Sequence, residues 1–375
     1  MNYGILARLS GKFGKMSFLN NIYRNKRVFV TGHTGFKGSW LIKILNNFDA
    51  IVKGYALPPE TKINLFNEIK GDLLCESVIS DLRNREALTK AVLDFQPDFI
   101  FHLAAQPLVR LSYELPTETF EVNVIGTANL LDAIKLLDKK CNIVLITTDK
   151  VYHNNEWEYP YRENDRLGGY DPYSASKACC ELVIDSYRNS FFNPSKYNHH
   201  QKAIAVARAG NVIGGGDWSK DRLIPDIAKS LSKDEEIIIR NPNSIRPWQH
   251  VIEPLFGYLE LGRQLNDYPL KYSQAYNFGP NIYDAISVED VVKKSIQCWG
   301  RGAYKIQANN DDQHEAGLLK LDISNTLANL TWRPIFNSQI AIERTINWYK
   351  NYYTGNNAAV LIQSDIEYYN SLINE

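Results

Sequence analysis

Cysteine is scarce: five in 375 residues, odd in number and scattered at 75, 141, 179, 180 and 298. None is spaced as CxxC, which excludes a disulfide scaffold or zinc ribbon and fits a reducing cytosol. A charge excess is also lacking. With 42 Lys and Arg against 42 Asp and Glu, nothing draws the chain to nucleic acid or an anionic membrane. No apolar run approaches the ~20 residues a membrane helix needs. Methionine occurs twice, as Met1 and Met16. Acidic residues are missing altogether from 1–48, while Arg8, Lys12, Lys15, Arg24, Lys26 and Arg27 load that end with positive charge. Such a start suits a transit peptide or a membrane-surface helix, but no long apolar stretch follows that would make it a secretory signal. The simpler expectation is a disordered basic extension over residues 1–25, with 1–15 dispensable or Met16 the true initiator.

What is present is an ordinary globular balance, 44% hydrophobic and 22% charged, in a length that suits one large or two modest domains. Organisation begins at Lys26. Arg27-Val-Phe-Val-Thr31 is a short β-branched run, followed by Gly32-His-Thr-Gly35-Phe-Lys-Gly38 and by helical spacing from Ser39 to Asn46. Strand, glycine turn and helix form the context of a dinucleotide fingerprint. The first glycine permits the turn, the second lets backbone approach a diphosphate, and the third allows close helix–strand packing. The helix start then offers free N–H groups to phosphate. The spacing is GxxGxxG, and Lys37 precedes the last glycine, so the segment is not a P-loop. Further runs at 50–56, 99–105 and 142–147 repeat the alternation. They predict an α/β, Rossmann-type doubly wound parallel sheet with ligands beyond the carboxyl ends of its strands. The expected layout is a dinucleotide-binding domain over 26–210 with a return segment near 250–285. A smaller mixed α/β substrate region follows over 211–355, and then a terminal tail or helix over 356–375.

Chemistry is concentrated after two of these runs. Thr148-Asp149-Lys150 follows the Ile-rich strand, and Tyr173 comes 25 residues after Thr148, with Lys177 four further on. Tyr and Lys at i and i+4 share one helical face, here on an expected helix from Ser176 to Ser190. A neighbouring ammonium favours a phenolate, so Tyr173 is a candidate base below its ordinary pKa of ~10, and Lys177 a candidate for a ribose hydroxyl. Asp81 follows another short run, where it would accept from an adenine amino group or cap a helix from Arg83 onward. At the end of the second strand, Gly54-Tyr55-Ala56-Leu57 offers neither an acid for a ribose hydroxyl nor an Arg for a 2′-phosphate, so these residues do not separate NAD from NADP. His33 is bulky for its turn and either weakens cofactor retention or faces solvent.

In the carboxyl half, Gly214-Gly-Gly-Asp-Trp218 reads as a flexible loop able to pass close to a ligand. Arg222, Arg240 and Arg246 are candidates for a diphosphate, since a guanidinium fork matches its oxygens, and Asn211 could add its amide. Trp248 would stack on a base or sit in the core. His250 and His314 read as structural. Gln313-His314-Glu315 is not HExxH, because Leu318 stands at the second His position, and no metal site is expected. Residues 193–201, 241–247 and 308–313 read as surface loops.

Several segments together resemble the nucleotide-sugar 4,6-dehydratases of the extended short-chain dehydrogenase/reductase family, from about Lys26 to about Lys350. They are 31–40 (TGHTGFKGSW), 102–110 (HLAAQPLVR), 148–150 (TDK), 168–177 (GGYDPYSASK), 208–218 (RAGNVIGGGDW), 221–226 (DRLIPD), 246–251 (RPWQHV) and 314–316 (HEA). The glycine turn and YxxxK indicate the superfamily; the GGGDW, RPWQHV and Asp-Lys segments narrow it to the branch acting on CDP-glucose. The resemblance implies NAD as cofactor, held by Gly32, Gly35, Phe36, Gly38, Asp81, Leu82, Ala104, Tyr173 and Lys177. It implies substrate contacts from Gln106, Arg110, Asn211, Arg222, Arg240 and Arg246. Thr148 and Tyr173 would serve C4 oxidation. Asp149 would be the acid for the C6 hydroxyl, and Lys150 either the base at C5 or a charge beside Asp149. A cytoplasmic homodimer joined through the Tyr173 helix and residues 108–119 is also implied, supplying deoxysugar precursors for surface polysaccharide such as lipopolysaccharide O-antigen. Two alternatives remain: an NAD-dependent epimerase, which needs no acid for water loss, and a non-catalytic dinucleotide-binding regulator, which needs no Thr-Tyr-Lys set.

Overall fold

The structure is a computed structural model that describes residues 15–284, 286–307 and 318–373. The first 14 residues of the basic extension, the 308–313 loop, and His314 with its neighbours Glu315 and Ala316 lie outside the described residues. Seven parallel strands form the central sheet: β1 (Arg27–Thr31), β2 (Ile51–Ala56), β3 (Glu76–Ile79), β4 (Phe99–His102), β5 (Cys141–Thr148), β6 (Lys202–Ala209) and β7 (Ala275–Phe278). Their order is β7-β6-β5-β4-β1-β2-β3, so the crossovers change direction between β1 and β4. A crevice forms where the order reverses, and that is where a doubly wound sheet receives its ligand.

The continuous apolar runs become strands because both faces of the sheet are covered. Alternate residues of β1 divide between the two layers. Val28 and Val30 join a core with Trp40, Phe101, Val144, Leu255 and Leu259, whereas Phe29 joins the opposite one with Leu88, Val92, Ile100, Leu130 and Ile143. The helices on the Val28 side include α2 (Phe36–Asn47) and α7 (Ile252–Asp267). On the Phe29 side lie α3 (Arg85–Phe95), α4 (Gly126–Lys135) and α5 (Pro172–Ser190). The smaller region carries α6 (Leu223–Lys233), α8 (Val288–Trp299) and α9 (Ser338–Tyr353), with two-stranded pieces such as Ile237–Ile239 against Tyr304–Ile306. Helix α10 (Ala358–Ile373) ends the described chain and buries Ile362, Ile366 and Tyr369.

The expected disordered extension is corrected over its second half. Lys15–Tyr23 is a helix, α1. Leu19 and Tyr23 are buried, and the Tyr23 hydroxyl donates to the Leu259 carbonyl at 2.6 Å. The Tyr23 ring also lies 4.8 Å from Phe99. A partner 236 positions away in the chain fixes this helix, which local pattern cannot reveal.

Candidate active site

The glycine turn is tight where it must be and open on one side. Gly32 has φ +76°, and a Cβ there would stand 2.7 Å from the Ala104 nitrogen. A Cβ on Gly38 would come within 2.0 Å of the Gly32 carbonyl, so β1 and α2 touch through bare backbone. A Cβ on the exposed Gly35 would meet nothing nearer than 3.4 Å, and no side chain caps the helix it starts. A bare face and uncapped N–H groups at a helix N-terminus fit a dinucleotide diphosphate. Thr31 braces the turn: its hydroxyl meets His102 Nδ1 at 2.7 Å and accepts from the Ala104 nitrogen at 3.2 Å.

His33 does not face solvent. It is fully buried, its Nε2 lies 2.7 Å from Ser77 Oγ, and Phe66 meets its ring edge-on. Burial draws its pKa down to about 4. A Cβ on Gly54 would fall 2.2 Å from this ring, which explains a glycine in mid-strand. Asp81 is not a helix cap either. Asn84 caps α3 through the Ala87 nitrogen, while the Asp81 carboxylate takes Arg83 Nη2 at 2.7 Å, and that pairing holds its pKa below the usual range. Leu82 is buried against Gly126.

Helix α5 starts at Pro172, earlier than the expected Ser176. The Asp171 side chain accepts from the Ser174 nitrogen at 2.9 Å and Pro172 fills the first turn, a strong start signal that places Tyr173 inside the helix. Tyr173, Lys177, Thr148 and Asp149 are all buried. Burial raises the Tyr173 phenol above its ordinary range; Thr148 pulls the other way, and Asp149 raises it further. The expected lowering of Tyr173 is therefore not found: desolvation dominates. Burial likewise lowers Lys177, and Cys180 and Glu181 partly offset it. Thr148 Oγ1 donates to Asp149 Oδ1 at 2.9 Å, and Lys150 Nζ reaches the same oxygen at 3.3 Å and Asn211 Oδ1 at 3.1 Å. Asp149 Oδ2 is buried with no hydrogen-bond partner. Behind this line, Glu181 pairs with Arg208 and accepts from Thr147 Oγ1 at 2.6 Å, tying β5, β6 and α5 together.

Two residues of the site escaped sequence reading. Lys37, on the glycine turn, lies 3.4 Å from the Tyr258 hydroxyl on α7. Burial lowers its pKa to about 7; Arg222, Lys177 and Lys150 add to the lowering, and Asp149 opposes it. Its one sequence signal is a lysine set just before the last glycine of the turn. Asn123, in the π-helical turn Glu121–Ile125, accepts from the Gln106 nitrogen at 2.8 Å and donates to Ser176 Oγ at 2.8 Å, joining the loop after β4 to α5. Single π turns often mark functional sites.

The substrate candidates fall into three groups. Arg110 and Arg240 converge on one carboxylate, Asp221, at 3.6 and 3.9 Å, and Arg222 meets Asp217 at 2.8 Å. Gln106 turns inward, its amide donating to Thr119 and accepting from the Leu108 nitrogen, so it orders its own loop. Arg246 stands on the short strand Ile245–Arg246 and donates to the Ile245 carbonyl at 3.1 Å. The Gly214–Trp218 loop is clamped rather than flexible. The Trp40 indole donates to the Gly215 carbonyl at 3.0 Å, and a Cβ on Gly215 would strike Trp348 at 1.9 Å. Phe36 reaches the same loop beside Gly214. Trp248 is buried in the core, and His250 lies between Trp40 and Phe336. Among the described residues, no group of His, Cys, Asp and Glu is arranged to hold a metal ion.

Known proteins carry the same pattern. A sequence model of the family described as GDP-mannose 4,6 dehydratase matches residues 29–345. The CDP-glucose 4,6-dehydratase of Salmonella typhimurium is 48% identical over 94% of this chain and 98% of its own length. The CDP-paratose 2-epimerase of Salmonella typhi is 32% identical over 71% of this chain and 82% of its own. Among solved structures, the dTDP-glucose 4,6-dehydratase of Streptomyces venezuelae, with NAD bound, superposes with a TM-score of 0.73 at 21% identity, covering 87% of this chain and 97% of its own. That likeness shows the Rossmann-type fold. From the glycine turn to the Thr148–Tyr173–Lys177 line, the chain belongs to the nucleotide-sugar 4,6-dehydratases of the extended short-chain dehydrogenase/reductase family.

Proposed function

We propose that this hydro-lyase converts CDP-D-glucose to CDP-4-keto-6-deoxy-D-glucose. The observation that carries this reading is the Asp149–Lys150 pair, set directly beside Thr148 with the Asp149 carboxyl buried in reach of both neighbours. Oxidation at C4 needs a base and a hydride acceptor; loss of water needs, in addition, a proton donor at the C6 oxygen. An epimerase has no use for that donor. Gly32, Gly35, Phe36, Gly38 and Ala104 would hold NAD, which would supply a hydride acceptor for C4 and a donor for C6, so no net oxidant is consumed.

The chain's own residues supply the rest. Tyr173 takes the proton of the 4-hydroxyl, with Thr148 on the same oxygen and Lys177 alongside for charge and for the ribose. The ketone acidifies the C5 proton, which Lys150 removes as an amine or helps to remove as a charge. Asp149 protonates the departing C6 hydroxyl. Arg110, Arg222 and Arg240 suit the diphosphate, in exchange for Asp221 and Asp217. The 48% identical relative supports the cytidine nucleotide. Exposed Leu115 and Leu182, near the helices expected to pair, support a homodimer, and free cysteines support a cytoplasmic place in supplying deoxysugars for surface glycans such as O-antigen.

A panel of CDP-, dTDP-, GDP- and UDP-hexoses with added NAD tests the reading. A 4-keto-6-deoxy product from CDP-glucose, seen by its absorbance in alkali, is expected. Preference for another nucleotide would contradict the substrate, and CDP-galactose as product would make the epimerase reading correct.

A further inference from the structure

The two residues after β6 stand against the Asp149–Lys150 pair, and the inference they carry rests on the dehydratase reading above. Strands β5 and β6 keep parallel register to their ends, with Thr148 beside Ala209. Residues 149–150 and 210–211 therefore leave the sheet side by side. Gly210 backs the carboxyl. A Cβ there would press on Pro247 Cγ at 2.9 Å and come within 3.4 Å of Asp149 Oδ2, so bare backbone faces that oxygen. Asn211 meets the amine: Lys150 Nζ donates to Asn211 Oδ1 at 3.1 Å and to Asp149 Oδ1 at 3.3 Å. The diphosphate contact expected of Asn211 would use its amide nitrogen; its oxygen is already committed to Lys150.

Two acceptors on one amine decide where its remaining direction points. A lysine nitrogen is tetrahedral, with three positions besides its side-chain carbon. At the moment it removes a proton it is an amine, with two N–H bonds and one lone pair. Asp149 Oδ1 and Asn211 Oδ1 take both N–H bonds, and among the described residues Nζ has no third hydrogen-bond partner. The lone pair is then confined to one direction. With Asp149 as sole acceptor, either of two directions could hold it.

We propose that Asn211 is a positioning residue for the loss of water, its Oδ1 fixing the Lys150 amine so that the lone pair meets the C5 proton of the 4-ketone. In that step the C5–H bond breaks and an N–H bond forms on Lys150, while the electron pair of C5 moves into the C4 carbonyl as an enolate. The enolate re-forms the ketone as the C6–O bond breaks. A C5–C6 double bond remains, and water departs with a proton from Asp149. When hydride reaches C6, Lys150 returns its proton to C5. Over the cycle the proton lost from the 4-hydroxyl balances the one that leaves in water, and no oxidant or reductant beyond the cofactor is needed.

The main chain at Asn211 is held independently of its side chain. Its carbonyl accepts from the Gln249 nitrogen at 3.2 Å, and Val212–Ile213 pairs with Gln249–His250. Variants at 211 keep that anchor. The other charged or titratable groups about the pair are Lys37 at the start of α2, Tyr173 and Lys177 on α5, and Arg222 at the start of α6. All are unchanged in the variants.

The test follows a single turnover of NAD-loaded enzyme with CDP-glucose by nicotinamide absorbance, which rises with C4 oxidation and falls as hydride returns to C6. Asn211→Ala should oxidise at the wild-type rate and bind CDP as tightly by calorimetry. Its absorbance should fall roughly 10²-fold more slowly, the cost of a reacting group misplaced by about 1 Å. Deuterium at C5 of the substrate should slow that fall further. Asn211→Asp keeps the acceptor and should restore much of the rate. Its added negative charge favours the ammonium form of Lys150, so the fall should need a higher pH than in wild type. A merely structural role for Asn211 would not move that profile. An Asn211→Ala enzyme whose absorbance falls as fast as wild type would overturn the proposal, and so would an Asn211→Asp profile that coincides with wild type. Weaker CDP binding by Asn211→Ala with an unchanged fall would make Asn211 a diphosphate contact instead. Should Asn211→Ala fail to fold, the Asn211→Asp profile decides alone. A folded wild type that neither reduces its cofactor nor dehydrates CDP-glucose would overturn the functional reading itself, and the proposal with it.

Discussion

The proposed catalytic line and the proposed diphosphate end of the site are built in opposite ways. Thr148, Asp149, Tyr173 and Lys177 project from a strand end and a helix, at 7%, 0%, 8% and 6% exposure. The side chains of Arg110, Arg222 and Arg240 are 29%, 35% and 45% exposed; the latter two stand on loops, and all three lean on the carboxylates Asp217 and Asp221. The groups proposed to move protons are thus fixed and buried, where each interaction is worth most. The groups proposed to recognise charge stay partly hydrated and carry counter-ions of their own, which a diphosphate would have to replace.

The sharpest way to break this contrast is Tyr173→Phe. Removing a positioned base should cost ~10²–10⁴-fold in turnover with fold and cofactor binding retained. Near-normal turnover would place the base elsewhere.

Burial without chemistry offers a control. Glu253 on α7 accepts from the backbone nitrogens of Ile335 and Phe336 at 2.8 and 2.6 Å and from the Tyr369 hydroxyl at 2.9 Å. Desolvation raises its pKa to about 7 against those hydrogen bonds. Folding therefore takes up a proton between about 4.5, the ordinary value, and about 7. Stability should decline as pH rises through that window and level off above it, by on the order of 3 kcal/mol at most. Asp365, raised to about 6 by burial, acts in the same sense. Glu253→Gln should flatten much of the slope in Tm against pH while leaving turnover close to wild type. An unchanged slope would show that this carboxyl titrates normally.

The smallest effect is expected at the hydrated end. Asp221→Asn keeps a side chain tolerant of its φ of +58° and removes the charge held between Arg110 and Arg240. Exposed ion pairs are worth about 0–1 kcal/mol, so CDP should bind a few-fold tighter by calorimetry at low salt, with the gain fading as salt rises. Weaker binding would mean that Asp221 positions the arginines rather than competing for them.

The two ends also differed in how legible they were. The β1–turn–α2 unit could be read because a buried β-branched run, three glycines and a helical pattern lie within 20 residues. Tyr173 and Lys177 could be read from their spacing, although their helix, capped by Asp171, starts at Pro172 and not at the expected Ser176. What stayed hidden depends on distant chain. Helix α1 is held by α7. His33 is buried by Gly54, Phe66 and Ser77, and Lys37 acquires its character from Asp149, Lys150, Lys177, Arg222 and Tyr258. Gln106 and the Gly214–Trp218 loop looked available for ligand because composition does not show which partners a side chain already has.

The central claim is that the hydride taken from C4 is kept on the enzyme and returned to C6. Its most direct measurement is the fate of deuterium placed at C4 of CDP-glucose. The account predicts that the label reappears at C6 of the 4-keto-6-deoxy product, within the same molecule when labelled and unlabelled substrates are mixed. Deuterium lost to solvent, scrambled between molecules or retained at C4 of an epimerised sugar would contradict it.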